Sequence, residues 1–177
     1  MRPRLAALAA ALLWLAACQR GPDLFTPSIE RTPLTGAEPG RLRAFVAMSD
    51  PDAEVHLVGG VNRTLEAGAW RWASQRAELQ FLVHEARPWR FVMEFTIAEA
   101  TFAHTGPVTL AVSVEGKALG TLRCDIPGTK RFERSVPADW LPVGRPVRVA
   151  AEVDKAYVDP RDGNRLGFIL QRAGFVP

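Results

Sequence analysis

Two short stretches of this sequence gather side chains that could do chemistry. In Leu65-Glu66-Ala67-Gly68-Ala69-Trp70-Arg71-Trp72 two indoles stand two residues apart, so in an extended strand they share one face. Side by side, two indoles can offer a flat platform to a sugar ring or another planar apolar surface. The same spacing also suits rings that plug a core, with Arg71 turned outward. In Tyr157-Val158-Asp159-Pro160-Arg161-Asp162-Gly163-Asn164-Arg165-Leu166-Gly167, the residues Asp159, Asp162 and Asn164 carry oxygen ligands at the short spacing a Ca²⁺ site needs. Asx residues beside Pro and Gly are equally what a tight turn uses, and an Asp-to-Arg bridge would close such a loop. Trp70, Trp72, Tyr157, Asp159 and Asp162 are therefore the candidate ligand-binding residues, and no metal is assigned.

Catalytic chemistry finds less to work with. Ser113 and Ser135 fall in alternating strand-like runs, Ser28 lies in a Pro-rich segment, and no Gly-x-Ser-x-Gly elbow exists. His56, His84 and His104 are far apart and never adopt a metal-ligand spacing, which reads as scattered histidines on polar faces. Asp50 with Asp52, or Glu94 with Glu99, are carboxylate pairs of the kind that turns and solvated strand faces produce anyway. Neither an enzymatic activity nor a cofactor is expected.

The elements that must position these residues begin after a leader. Arg2 and Arg4 precede an unbroken apolar run of 13 residues, Leu5 to Ala17. Such a run is too short to span a bilayer, which takes about 20 residues, and reads as a secretory signal. Its end, Leu15-Ala16-Ala17-Cys18, resembles the bacterial lipobox. That resemblance implies cleavage before Cys18 and attachment of diacylglycerol to it, giving a membrane-anchored lipoprotein. Gln19 in place of an Asp implies the outer membrane, with the protein on its periplasmic face or at the cell surface. Residues 18–40 hold Pro22, Pro27, Pro33 and Pro39 and read as a flexible tether. Fully extended, it would reach about 60 to 70 Å.

Loss of residues 1–17 would leave 20 basic against 19 acidic side chains. With no Lys or Arg run, a nucleic-acid partner is not expected. With Cys18 taken up by lipid, Cys124 has no cysteine to pair with and reads as a buried small hydrophobe.

From residue 41 to 177 the hydrophobic period is two almost throughout. Trp89, Phe91, Met93, Phe95 and Ile97 alternate with Arg90, Val92, Glu94 and Thr96, the clearest strand of the chain. Val108 to Val114, a turn at Glu115-Gly116-Lys117, and Ala118 to Ile126 form a hairpin. Ala77 to Val83 and Val147 to Val153 are strands, with shorter ones at Leu42–Met48, Val55–Val58, Ala69–Ala73, Arg131–Val136 and Arg165–Phe175. A single turn at Ala138–Leu141 is the only helical hint. This pattern predicts an all-β antiparallel β-sandwich in one domain, 41–177.

The strand with Trp70 and Trp72, the hairpin Val112 to Gly120 and the segment Asp162 to Gly167 resemble the jelly-roll, galactose-binding-like modules of bacterial extracellular and glycan-handling proteins. The resemblance implies a jelly-roll-like sandwich whose ligands meet loops at one end or a concave sheet face. The expectation is a non-catalytic binding module, with polysaccharide as its first ligand class. The alternative is a structural or assembly lipoprotein that docks an envelope protein on a sheet edge.

Overall fold

The structure is a computed structural model and describes residues 41–177. The expected signal peptide 1–17 and tether 18–40, Cys18 included, lie outside the described residues.

The strands, in chain order, are β1 (Phe45–Ala47), β2 (Leu57–Val61), β3 (Arg71–Leu82), β4 (Trp89–Ile97), β5 (Val108–Val114), β6 (Lys117–Cys124), β7 (Gly128–Val136), β8 (Pro146–Val153), β9 (Tyr157–Val158), β10 (Arg165–Leu166) and β11 (Phe168–Val176). All pairings between them are antiparallel. Nine of the strands form one sheet in the order β6-β5-β8-β3-β11-β4-β7, with β1 beside β11 and β2 beside β3. β9 and β10 form a separate small hairpin.

The sheet folds over itself because β3 serves both leaves. Its first residues, Arg71–Ala73, pair with Phe168–Leu170 of β11, and Arg76–Leu82 pair with β8. One leaf is thus β2-β3-β8-β5-β6 and the other β3-β11-β4-β7. At the far side β6 returns to β7, where Gly120 lies against the Phe132 and Arg134 side chains. The result is a nearly closed, jelly-roll-like all-β sandwich. At the β3 corner the backbones approach closely. A Cβ on Gly60, whose φ is +68°, would lie 1.8 Å from the Arg76 carbonyl oxygen, and one on Gly167 would lie 2.4 Å from that of Ser74. Only glycine lets β2 and β11 meet the bend at these two points.

Phe81 of one leaf meets Phe91 and Phe175 of the other edge-on, with centroids 6.1 and 5.7 Å apart. Phe95 meets Phe168 at 5.8 Å near the opposite end of the core. Each of these rings is fully buried, and burial stabilises by about 1.5 to 3 kcal/mol per ring.

β4 occupies the expected nine residues, and Phe91, Met93, Phe95 and Ile97 all face inward. The β5-β6 hairpin turns at Glu115 and Gly116, whose φ values of 49° and 75° are both positive, as a two-residue type I′ turn requires. β6 stops at Cys124 rather than Ile126.

Other expectations are corrected. Val55 and His56 belong to a 3-10 turn, Ala53–His56, and extended pairing starts at Leu57. In the segment expected to be extended from Leu42 to Met48, only Phe45–Ala47 is strand. The runs at Ala69–Ala73 and Ala77–Val83 are one strand, β3, and Arg165–Phe175 is broken at Gly167 by the close approach to Ser74. One α-helix, α1 (Glu99–Thr105), occurs among the described residues where none was expected. With seven residues it is too short to show a 3.6-residue period. It is held from below by burial of Thr101 and ended by Gly106 at φ 63°.

Candidate functional site

Along β3 the inward positions are Arg71, Ala73, Ala77, Leu79 and Phe81. Trp70 and Trp72 therefore face outward, each half-buried. The buried Arg71 guanidinium donates through Nη1 to the Arg63 carbonyl, and its Nε has no partner among the described residues. The placement of two core indoles with Arg71 outside is thus inverted. Nor do the indoles form a flat platform. Their planes meet at 88° with centroids 5.8 Å apart, an edge-to-face pair.

Trp72 is the member of the pair that lines a cleft together with other aromatic groups. It forms one wall of a cleft of about 330 Å³ whose other sides come from α1 and the β9-β10 hairpin. Thr101 and His104 stand three apart on α1 and so share the face that lines the cleft. The His104 ring stacks on Tyr157 of β9, with centroids 4.7 Å apart and planes 25° from parallel. Tyr157 pairs with Leu166 across the small hairpin, and Leu166 lines the cleft as well.

The loop between β9 and β10 closes the rim. Asp159 is 7% exposed, and both of its carboxylate oxygens accept from Arg161: Nε to Oδ1 at 3.0 Å and Nη2 to Oδ2 at 2.6 Å. The Arg161 backbone N–H adds a third bond to Oδ1 at 2.9 Å. These bonds, the side-chain ones first, hold the Asp159 carboxyl down to about 2. The Arg161 side chain remains 86% exposed at the cleft mouth. Asp162 accepts from the Asn164 backbone N–H and side-chain amide at 2.9 and 2.7 Å. The loop is thus the Asx turn closed by an Asp-to-Arg bridge. A Ca²⁺ ion would have to displace Arg161 to reach Asp159. No group of three or more His, Cys, Asp or Glu gathers among the described residues.

Of the five candidates, Trp72, Tyr157 and Asp159 come together in this cleft. Trp70 touches Trp72 from outside it, and Asp162 lies in the turn without lining it. A second cleft of about 280 Å³ lies on the other side of Trp72 and Leu166, lined by Asn62, Ser74 and Arg165 among others. Trp72 and Leu166 therefore form a ridge between two adjoining hollows. His104, Thr101 and Leu166 are site residues that sequence reasoning missed. His104 needed α1 to bring it to Tyr157, and α1 left no periodic signal.

The remaining histidines go elsewhere. His56 is fully buried against Phe81 rather than on a polar face, with Nδ1 2.8 Å from the Gln80 carbonyl oxygen. His84 is exposed in another cleft. Cys124 is 1% exposed, and burial pushes its thiol up. Asp52 pairs with Arg43 at 2.6 Å, and Glu94 with Arg131 and Arg172 at 2.8 and 2.6 Å.

No family model matches the chain. No curated protein matches it either. Among solved structures the chain is similar to the dimeric latent PorU of Porphyromonas gingivalis, at 13% identity over 57% of this chain and with a TM-score of 0.37. It spans only 10% of that protein's length. It is similar to Xyl-CBM35, solved in complex with a glucuronic acid containing disaccharide, at 11% identity over 75% of this chain and 92% of that one, TM-score 0.42. It is also similar to a family 35 carbohydrate binding module from an environmental isolate, at 14% identity over 79% and 94% of the two chains, TM-score 0.41. Scores at this level carry no weight for the site described above.

Proposed function

We propose that this chain is a lipid-anchored, non-catalytic module that binds carbohydrate in a bacterial cell envelope. The observation that carries the reading is the cleft in which Trp72, Tyr157 and His104 converge beside the exposed Arg161 guanidinium. Aromatic faces take up the apolar C–H surface of a sugar ring, and neighbouring polar groups orient its hydroxyls. The second hollow beyond Trp72 gives an extended glycan room to continue past one ring. Anchoring rests on Leu15-Ala16-Ala17-Cys18, which supports a lipoprotein held at the outer membrane, on its periplasmic face or at the cell surface. An acyl chain contributes about 0.8 kcal/mol per buried methylene, so several chains would hold the module permanently.

The test is a titration of residues 19–177 with peptidoglycan fragments and a panel of polysaccharides, followed by tryptophan emission with and without Ca²⁺. The expected result is a saturable shift for at least one glycan that does not depend on Ca²⁺, because Asp159 is occupied by Arg161. Unresponsive emission across the panel would overturn the carbohydrate reading. Anchoring is checked separately: Cys18→Ser should release the protein from the membrane fraction washed at high salt, and retention there would count against the lipobox.

A second reading draws on one observation. β2, with the uncharged sequence Leu57-Val58-Gly59-Gly60-Val61, pairs among the described residues only with β3 and leaves a largely exposed edge. Such an edge can accept a strand from a partner protein. Crosslinking to one envelope protein through β2, with no glycan affinity, would favour it.

A further inference from the structure

A cleft of about 410 Å³ lies at the end of the sandwich opposite the aromatic site. It forms where β3 ends and β4 begins, whereas Trp72 stands at the start of β3 and Ala98 follows the end of β4. Ten residues of strand separate Trp72 from Leu82, roughly 30 Å of backbone. The first described residues, Arg41 to Ala44, form one rim, held in place by the Leu82 backbone N–H donating to the Arg43 carbonyl at 3.0 Å. The chain from Cys18 therefore enters the domain at this cleft.

The walls are of two kinds. Leu42, Ala44, Leu82 and Trp89 are apolar. Arg41, Arg43, Arg87 and His84 supply cationic or ionisable groups, against a single acid among the described residues, Glu85. Arg87 lies over the Trp89 ring, its guanidinium carbon 4.3 Å from the centroid, and pairs with Glu85 at 3.5 Å. Arg43 pairs with Asp52. Arg41 has no acidic partner among the described residues. The adjoining loop, Pro142–Arg145, is tied to this end by the Gly144 backbone N–H donating to the Val83 carbonyl at 2.9 Å. It presents Val143, 46% exposed, beside Arg145, which also lacks an acidic partner among the described residues.

We propose that this cleft docks the anchor-side end of the domain onto the phosphate head groups of an anionic phospholipid bilayer. An apolar floor under cationic rims fits a head group together with the glycerol below it, and an exposed valine beside an arginine suits the interfacial layer. The occupant is a bilayer because the chain that leads to Cys18 begins at the cleft's own rim. The proposal rests on the lipid-anchor reading. Docking in this sense turns the aromatic cleft away from the membrane, toward soluble or wall-bound glycan.

The experiment uses residues 19–177, which contain the whole described sandwich and its core, without any lipid. Partition is measured by sedimentation onto vesicles of phosphatidylcholine alone and of phosphatidylcholine with roughly one quarter phosphatidylglycerol. The chain should bind the anionic vesicles only. Arg41→Gln with Arg145→Gln should lower partition about 25-fold, at roughly fivefold per cation. Both residues are exposed, and unchanged thermal unfolding confirms that the variant is folded. Equal binding to both vesicle types, or no effect of the double substitution, would overturn the proposal. Orientation is read with a dye placed through Val143→Cys or Val158→Cys, which are 46% and 48% exposed and flank opposite ends of β8. On anionic vesicles the dye at 143 should be shielded from an aqueous quencher and the dye at 158 should not; the reverse would also overturn the proposal. Loss of the lipobox reading would show in the Cys18→Ser fractionation at high salt, where electrostatic docking is screened and only a lipid anchor holds, so the two failures are distinguishable.

Discussion

Replacing the two tryptophans one at a time separates the cleft from the flat-platform alternative. Trp72 lines both hollows and Trp70 lines neither. A large aromatic side chain buries about 150 to 250 Å² when fully covered, and a ligand stacking on one half-buried ring would cover roughly 100 Å². At about 25 cal/mol per Å² that contact is worth about 2.5 kcal/mol, so Trp72→Ala should weaken binding roughly 60-fold. Trp70 acts only through its edge-to-face contact with Trp72 at 5.8 Å. Such pairs contribute about 0.5 to 1.5 kcal/mol, so Trp70→Ala should cost about tenfold at most. The assay is isothermal titration calorimetry of residues 19–177 and of both variants with a glycan that the unaltered chain binds. If Trp70→Ala costs as much as Trp72→Ala, or if Trp72→Ala leaves affinity unchanged, the cleft is not where the ligand sits.

Gly167→Ala should lower stability by about 1 to 3 kcal/mol and weaken glycan binding, because its new Cβ meets Ser74 and displaces Leu166 from the ridge; urea unfolding and calorimetry read the two effects. His56 makes the fold acid-sensitive. Burial foremost lowers its proton affinity in the folded state, opposed by its bond to the Gln80 carbonyl and aided by Arg43, while Asp50 and Asp52 act against the shift. The unfolded chain therefore takes up the proton first, so stability should be full above about pH 6.5 and decline as pH falls below it; His56→Gln should flatten that slope between pH 7.5 and 5 in urea titrations. The Asp159 carboxyl, held at about 2, acts in the same direction in a lower window, its contribution full from neutral pH down to about pH 4 and lost as pH falls on toward about 2. The cleft rim should therefore persist down to about pH 4, checked by amide exchange across residues 159–164.

The strands were legible where one face is apolar and the other polar over many residues. β4 is the plain case, because both of its ends fall at changes of composition that the alternation itself marks. The outward placement of the tryptophans was also written in the sequence, but only for a reader who joined two runs. Counting back by twos from Phe81 through Leu79 and Ala77 arrives at Ala73 and Arg71, so Trp72 and Trp70 fall on the other face. Ser74, Gln75 and Arg76 interrupt the apolar run where β3 bends between leaves, and the interruption hid the parity. An arginine at an inward position then looks wrong for a core strand. It is admitted because the start of β3 lies at the rim, where Arg71 reaches the Arg63 carbonyl and stands 4.0 Å from Glu54. The helix α1 was illegible for a different reason. Two turns of helix cannot show a period, and what stabilises them is tertiary: Thr101 buried below and Phe102 packed on the core.

The division of the sandwich into two ends follows from β4, which runs from Trp89 at one cleft to Ile97 beside the other, and from β11, whose Ile169 pairs with Trp72 on one side and Thr96 on the other. Whatever lies at the start of β3 must lie near the end of β4, which is why a Trp72 cleft acquires α1 as its wall. Likewise the turn from β3 into β4 must meet whatever strand crosses it, and the chain entering at Arg41 does so through the Arg43–Leu82 bond. The entry point and the aromatic cleft are therefore kept apart by the full length of a strand, irrespective of how the connecting loops vary. A ligand at the Trp72 ridge and a surface at the Arg41 rim can be engaged together, and neither needs the other to move. In the module as proposed, with a membrane at one end and a glycan at the other, rigidity between the ends would transmit the anchor's hold to the ligand. Here the rigidity comes from Phe81, Phe91 and Phe175 locking the leaves at one end and Phe95 with Phe168 at the other.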